Sequence, residues 1–315
     1  MNQISQFIEE LNHLQISYKL NQSLKDYTTL HIGGNVSLII EPKTKKEIEI
    51  SLKKIKQYHI PFEVLGNGSN ILALDQGYQG VILVLPTYFH QIDLVDKHIV
   101  KGQSGASLKD LCDFCLKEGL TGLEFACGIP GSIGGAIVMN AGAYGGEMKD
   151  VVKSVTYLDE DFHFITLNRN QLNFGYRHSY FSDHQGIIVE VEFELEEGNK
   201  EEIQTKMEEL MARRYAKQPM DEYSAGSTFK RPEGHYASAL IKEADLQGFH
   251  VNDASVSIKH AGFLINEGHA TSHDFLLLIE KVKERVYQTS GVHLSCEIKI
   301  LDSLKHWEFY KNMLN

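Results

Sequence analysis

Only four cysteines, Cys112, Cys115, Cys127 and Cys296, occur in 315 residues. That is too few for a disulfide scaffold, so a reducing cytoplasm is the expected compartment. No stretch approaches the roughly 18 consecutive apolar residues of a membrane span. Met1 to Glu10 carries two acids and no basic cluster ahead of an apolar core, so it does not read as a secretory signal. Basic residues are outnumbered, with 31 Lys and Arg against 42 Asp and Glu, a formal net charge of −11. Such a surface argues against non-specific binding to nucleic acid or an anionic membrane. It leaves room for a small anionic ligand held by a few local cations. H-E-x-x-H, EF-hand and Walker patterns are missing, and the 15 histidines are scattered, so no metal is expected. There is no internal repeat and no low-complexity tract.

What is present reads as a soluble globular chain, 42% apolar and 23% charged. Its length suits about two domains at roughly 100–200 residues each. Ile4, Phe7, Ile8, Leu11 and Leu14 predict an opening amphipathic helix. VSLII, PFEVL, ILAL and GVILVLP read as strands, and Thr44 caps a basic helix between the first two. IVKGQSGAS leads into SLKDLCDFCLKEGL. There Leu108, Leu111, Cys112, Cys115 and Leu116 recur at helical spacing. The C-x-x-C pair has no second ligand pair for zinc, so a buried stripe is the better reading. Residues 119–150 hold nine glycines mixed with aliphatic and aromatic residues. A flexible linker would be polar, so this backbone is expected to pack tightly against something. VKSVTYLDEDFHFITL predicts a hairpin turning at Asp159 to Asp161, and IIVEVEFEL another strand. The charged turn Glu196–Lys200 is the expected domain boundary, followed by a long helix over 201–218. SALIKEADL predicts a helix and KHAGFLIN a strand. Thr271 and Asp274 predict a capping box for a helix running to Tyr287. HLSCEIKIL predicts a last strand, with Leu294, Cys296, Ile298 and Ile300 on one face.

Two glycine loops carry chemical interest. Gly66-Asn67-Gly68-Ser69-Asn70 follows a strand, but a dinucleotide fingerprint needs glycine where Ile71 stands and a helix where a strand follows. What survives is a run of backbone N–H groups and a hydroxyl suited to an anion. The second loop holds Gly128, Pro130, Gly131, Ser132, Gly134 and Gly135. Glycines there let the chain approach a ligand closely. Gly131-Ser132 is no nucleophile elbow, which would need glycine at Pro130. Two such loops in one domain suit a long dinucleotide, though plain tight turns explain each one alone. Arg177 stands among aromatics in FGYRHSYF, where it needs an anionic partner or stacks on Tyr176 or Tyr180. Ser227 in YSAGSTFKRP reads alone as a turn serine, and Glu297 as an exposed strand glutamate.

Taken together and in order, VLGNGSNIL, LTGLEFACGIPGSIGGAIVMNAGAYGGEM, FGYRHSYF, RRYAKQP, SAGSTFKRP, KHAGFLIN and GVHLSCEI resemble the UDP-N-acetylenolpyruvoylglucosamine reductase family. The resemblance runs from about Tyr27 to Leu301. It implies an α+β protein with a FAD-binding domain of the vanillyl-alcohol-oxidase (PCMH) type. That domain, in two subdomains, would occupy residues 1–198 with its core over about 27–198. An α+β substrate-binding domain would occupy 199–315. Also implied are non-covalent FAD, NADPH as hydride donor and UDP-N-acetylglucosamine enolpyruvate as substrate. The implied catalytic residues are Arg177, Ser227 and Glu297. Gly66, Asn67, Gly68, Ser69, Asn70, Pro130, Gly131, Ser132, Gly134, Gly135 and Asn140 would meet FAD. Lys217, Lys230 and Arg231 would meet the diphosphate side of the substrate. Neither nucleic acid nor an obligate protein partner is expected. The short path from Tyr180 to Ile187 and on to the next helix resembles the class lacking an extra substrate-covering loop. Arg231 stands where many relatives carry Asn. The rival readings are a flavin oxidoreductase of the same fold with another substrate, and a non-catalytic flavin or nucleotide binder.

Overall fold

The computed structural model describes residues 3–302. Met1, Asn2 and residues 303–315, which the expected N-terminal segment and C-terminal domain include, lie outside the described residues. Helices and strands are mixed along the chain, in keeping with an α+β class. The chain forms two compact units, each gathered from three stretches. Among the described residues, unit 1 comprises those up to Lys19, Ile39–Asn67 and Val81–Arg214; unit 2 comprises Leu20–Leu38, Gly68–Gly80 and those from Tyr215 onward.

Unit 1 is organised by a five-stranded antiparallel sheet. Its order is Phe164–Asn168, Val152–Leu158, Ile187–Glu194, Ile99–Gln103, Ile92–Asp96. Val155 pairs with Leu167 on one side and Val191 on the other, so apolar residues stack in rows across the strands. The helix Leu108–Glu118 contributes to the same buried core as this sheet. Ser107 caps it by accepting from the Asp110 amide at 3.0 Å. Its buried stripe is Leu108, Leu111, Cys112 and Cys115, with Leu116 half-buried. The cysteines are thus core residues, and the Cys112 thiol donates to the Leu123 carbonyl at 3.3 Å. The strand Phe62–Leu65 runs parallel to Val81–Val84 and delivers the chain to Gly66.

Unit 2 is built on a four-stranded sheet in the order Tyr223–Ser227, Phe263–Asn266, Ala254–Val256, His250–Val251. The helices Ala237–Glu243 and Ser272–Ser290 supply Leu240, Ile241, Phe275, Leu278, Ile279 and Val282 to its core. Thr271 and Asp274 form the expected capping box, and the helix runs three residues past Tyr287. Asn266 ties the unit internally. Its amide donates to the Leu30 carbonyl at 3.0 Å and its oxygen accepts from Ala270 at 2.9 Å.

Three elements differ from expectation. The last strand covers only Lys299–Leu301, parallel to Ile71–Ala73, and Cys296 upstream makes an isolated bridge to Phe229. The extended chain keeps its alternation of two while changing hydrogen-bonding partner, so Leu294 and Ile298 are buried throughout. A helix, Ile133–Val138, lies inside the glycine-rich segment. Glycine's poor helix propensity conceals it, and burial of Ile133, Ala136 and Ile137 sustains it. The opening helix ends at His13, leaving Leu14 exposed.

Candidate active site

In unit 1 the start of the first glycine loop, Gly66, meets the second. A Cβ on Gly66 would lie 2.1 Å from the Ser132 hydroxyl and 3.2 Å from the Ser132 Cβ. Only glycine lets the end of the Phe62–Leu65 strand come this close to the start of the Ile133–Val138 helix. Ser132 is buried and caps that helix, accepting from the Gly135 amide at 3.3 Å. The second loop spends most of its amides within the protein. Gly131 donates to Ile129, Ile133 to Ala106 and Gly134 to Ser104, all at 2.8 Å. Glycines here also serve chain packing, since a Cβ on Gly134 would meet the Ser104 Cβ at 2.9 Å. The first loop is the reverse. Among the described residues, the backbone amides of Gly66, Asn67, Gly68, Ser69 and Asn70 donate to no protein acceptor. A run of unspent donors after a strand fits a phosphate-bearing ligand. Pro130 is exposed ahead of the helix cap.

Arg177 sits at the tip of a tight turn. Gly175 and His178 pair across it, with hydrogen bonds of 3.0 and 3.3 Å in the two directions. Its φ is +52, a conformation that favours glycine. The guanidinium lies 5.3 Å from the Tyr176 ring centre, the stacking that the sequence offers as one option. Both flanks of the turn are tied to the end of the Ile133–Val138 helix. The Ser179 hydroxyl donates to the Val138 carbonyl at 2.9 Å, and the Asn140 amide donates to the Gly175 carbonyl at 3.0 Å.

In unit 2, Ser227 ends the strand Tyr223–Ser227 just after a β-bulge between Ser224 and Ser227. Gly226 makes that bulge at φ +73, and the bulge re-aims the following side chain. The chain beyond Ser227 then runs beside residues 295–297. The Lys230 amide donates to the Ser295 carbonyl and the Glu297 amide to the Thr228 carbonyl, both at 2.8 Å. The Asn70 side-chain Nδ2 donates to the Glu297 carbonyl at 3.2 Å, and the Lys299 backbone amide to the Asn70 backbone carbonyl at 2.9 Å. Ser227, Glu297 and the Ser69-Asn70 end of the first glycine loop are therefore neighbours within unit 2. Burial pushes the Cys296 thiol up to about 12, so it stays protonated beside Glu297.

The cations Lys217, Lys230 and Arg231 are exposed. Arg231 stacks 4.1 Å from the Tyr236 ring centre and its Nε donates to the His235 carbonyl at 3.3 Å. Glu147 escapes the sequence reading. Its carboxylate accepts from Asn140 at 2.8 Å and pairs with Lys149 at 2.8 Å. Lys149 chiefly, then Asn140 and more weakly Arg177, hold its carboxyl below the usual range. Its two partners are near in sequence, and only the fold brings the Arg177 charge within range of it. Among the described residues, no three His, Cys, Asp or Glu side chains gather as a metal site, and no helix is long and apolar enough to cross a membrane.

Known proteins resemble the chain over nearly its whole length. Residues 36–168 match the family described as "FAD binding domain", and residues 218–301 the family described as "UDP-N-acetylenolpyruvoylglucosamine reductase, C-terminal domain". The UDP-N-acetylenolpyruvoylglucosamine reductase of Clostridioides difficile strain 630 is 43% identical over 96% of this chain and 99% of its own. That of Caldanaerobacter subterraneus is 45% identical over 90% of this chain and 93% of its own. The crystal structure of the Thermus caldophilus reductase superposes with a TM-score of 0.76 at 36% identity, covering 90% of this chain and 98% of that one.

Proposed function

The chain belongs to the UDP-N-acetylenolpyruvoylglucosamine reductase family, and from that premise we propose that it reduces UDP-N-acetylglucosamine enolpyruvate to UDP-N-acetylmuramate. The reaction adds a hydride and a proton across the alkene of the enolpyruvyl ether, and NADPH is oxidised to NADP⁺. It serves peptidoglycan precursor synthesis. When bound, FAD would supply the hydride relay between NADPH and the terminal alkene carbon. The unspent amides of residues 66–70, together with the Gly66–Ser132 approach, fit that cofactor. They would hold its pyrophosphate, while Pro130, Gly131, Gly134 and Gly135 let the backbone lie close to the ring edge. No histidine or cysteine stands out for a covalent link, so the flavin is held non-covalently.

The observation that carries this reading is Arg177, a non-glycine residue kept at φ +52 by ties on both sides of its turn. Strain of that kind costs of order 1–3 kcal/mol and persists where the surroundings over-determine it. Arg177 binds the substrate carboxylate and meets the charge that develops on the carboxylate-bearing enol. A preorganised cation does this with little reorganisation. Glu297 orients or polarises the same group. Ser227, aimed by its bulge, gives the proton to the adjacent carbon. A serine hydroxyl is a weak acid but sufficient for so basic a carbon within hydrogen-bond reach. Lys217, Lys230 and Arg231 face the diphosphate side, which reconciles an anionic substrate with a net charge of −11. In this division of labour residues 1–198 serve the flavin and 199–315 the substrate, and the enzyme works in the cytoplasm.

The test is NADPH oxidation by purified protein with and without UDP-N-acetylglucosamine enolpyruvate. Consumption that depends on that substrate supports the assignment. Flavin that NADPH reduces but this substrate does not reoxidise points to another substrate on the same fold.

A further inference from the structure

We infer that Asn140 is a positioning residue for Arg177: its side-chain amide fixes the turn that carries the guanidinium. The inference rests on the reading of Arg177 as the cation that meets the substrate carboxylate. It also gives Asn140 a different task from the flavin contact that the family resemblance implies.

Asn140 is 1% exposed and sits at φ +41, two residues past the end of the Ile133–Val138 helix. Its Oδ1 accepts from the Lys149 amide at 3.0 Å. Its Nδ2 donates to Glu147 Oε2 at 2.8 Å and to the Gly175 carbonyl at 3.0 Å. Both amide protons are therefore spent on the protein. The orientation of the amide is also fixed. Turning it over would face its oxygen to two acceptors and its NH₂ to a donor. A side chain sealed in this way has no donor left for a ligand. What it does have is a grip on the Gly175 end of the two-residue turn, one residue from Tyr176 and two from Arg177. Glu147, its other acceptor, is an anion held between Lys149 and Asn140 and within electrostatic range of Arg177. One buried amide thus holds the backbone under the cation and bonds the Glu147 carboxylate as well.

The experiment uses Asn140→Asp and Asn140→Gly in the full-length holoenzyme, since both residues tolerate φ near +41. FAD stoichiometry, flavin reduction by NADPH and reoxidation by the enolpyruvyl substrate are measured by stopped flow. Misplacing a reacting group by about 1 Å costs about 100-fold. Both variants should therefore bind FAD and be reduced by NADPH, yet reoxidise about 10–100-fold more slowly, with a raised KM for the enolpyruvyl substrate. Arg177→Ala is measured alone and combined with each variant. In that background the Asn140 changes should add less than about twofold, because residues acting through one another are not additive. Wild-type reoxidation in the Asn140 variants, or a loss that multiplies with Arg177→Ala, overturns the inference and leaves the role of Arg177 standing. Loss of FAD in both variants assigns Asn140 to the cofactor or to folding and also overturns it. Wild-type reoxidation in Arg177→Ala alone removes the reading of Arg177, and the inference falls with it.

Discussion

Replacing Gly66 with alanine isolates the junction between the two glycine loops. The new Cβ would lie 2.1 Å from Ser132 Oγ, well inside contact distance. Gly66 is not among the positive-φ glycines, so the perturbation is steric rather than conformational. Ser132 cannot give way freely. It is 2% exposed and its hydroxyl caps the Ile133–Val138 helix. Overpacking costs about 1–3 kcal/mol, and losing the cap adds about 1 kcal/mol. The lower freedom of the unfolded alanine chain offsets about 0.4–1 kcal/mol. A net loss of about 1–4 kcal/mol remains. At about 2–4 °C per kcal/mol for a unit of this size, the melting temperature falls by about 2–16 °C. The assay is thermal unfolding of the apoprotein, paired with flavin fluorescence titration. Adding Ser132→Ala removes the clashing oxygen and leaves the 3.2 Å Cβ approach. The double variant should then melt close to Ser132→Ala alone. A Gly66→Ala protein that melts within a degree of wild type refutes the reasoning, as does a double variant no better than Gly66→Ala. Stability restored without FAD affinity would mean that the glycine also faces the cofactor.

Ser227→Ala should leave reduction of the flavin by NADPH intact and slow reoxidation by the enolpyruvyl substrate about 10²–10⁴-fold, the usual contribution of a positioned acid. Stopped flow at the flavin absorbance decides, and wild-type reoxidation makes Ser227 a turn residue only. Arg177→Lys should weaken substrate binding in the same step, because lysine lacks the planar fork; an unchanged KM contradicts a carboxylate contact. Acid precipitation should release the flavin to the supernatant, and flavin on the pellet contradicts non-covalent binding. Burial pushes the Cys115 thiol up to about 12 and Cys112 well above its ordinary value of 9.0. The unfolded thiols then lose their protons first, so their stabilisation is complete below about pH 9 and fades as the pH rises towards 12. Cys112→Ala with Cys115→Ala should retain turnover, cost about 1–2 kcal/mol at neutral pH, and approach wild-type stability in urea melts above pH 9. A gap that stays constant with pH counts against that account.

Elements whose signal is local were legible before the structure. Thr44 and Thr271 cap helices where the spacing of hydroxyl, acid and apolar residues placed them. The hairpin around Asp159 is legible from alternation and an acidic turn. The Ile133–Val138 helix is not, because its stability comes from burial that glycine-rich composition disguises. The strand Ile92–Asp96 is mostly exposed and owes its existence to pairing with Ile99–Gln103. At the site, motif order points to Arg177, Ser227 and Glu297, but not to what holds them. Asn140 reaches Gly175 across 35 positions, and Asn70 reaches Glu297 across 227. Partnerships of that span leave no periodic trace in the chain.

The Ile133–Val138 helix also sets where this sequence can tolerate insertions and deletions. Its first turn meets Gly66 through Ser132, and its last residues hold the Arg177 turn through Val138 and Asn140. Each helical residue advances the chain by about 1.5 Å and rotates it by about 100°. Losing or gaining one residue would therefore swing Asn140 out of reach of Gly175 while Ser132 stayed in place. The Asp159–Asp161 turn, exposed at Glu160 and Asp161 and bonded mainly to itself apart from one flexible Lys56 side chain, carries no such constraint. Length variation among descendants of this chain should collect at that turn and be purged from residues 132–140, even where amino-acid identity drifts.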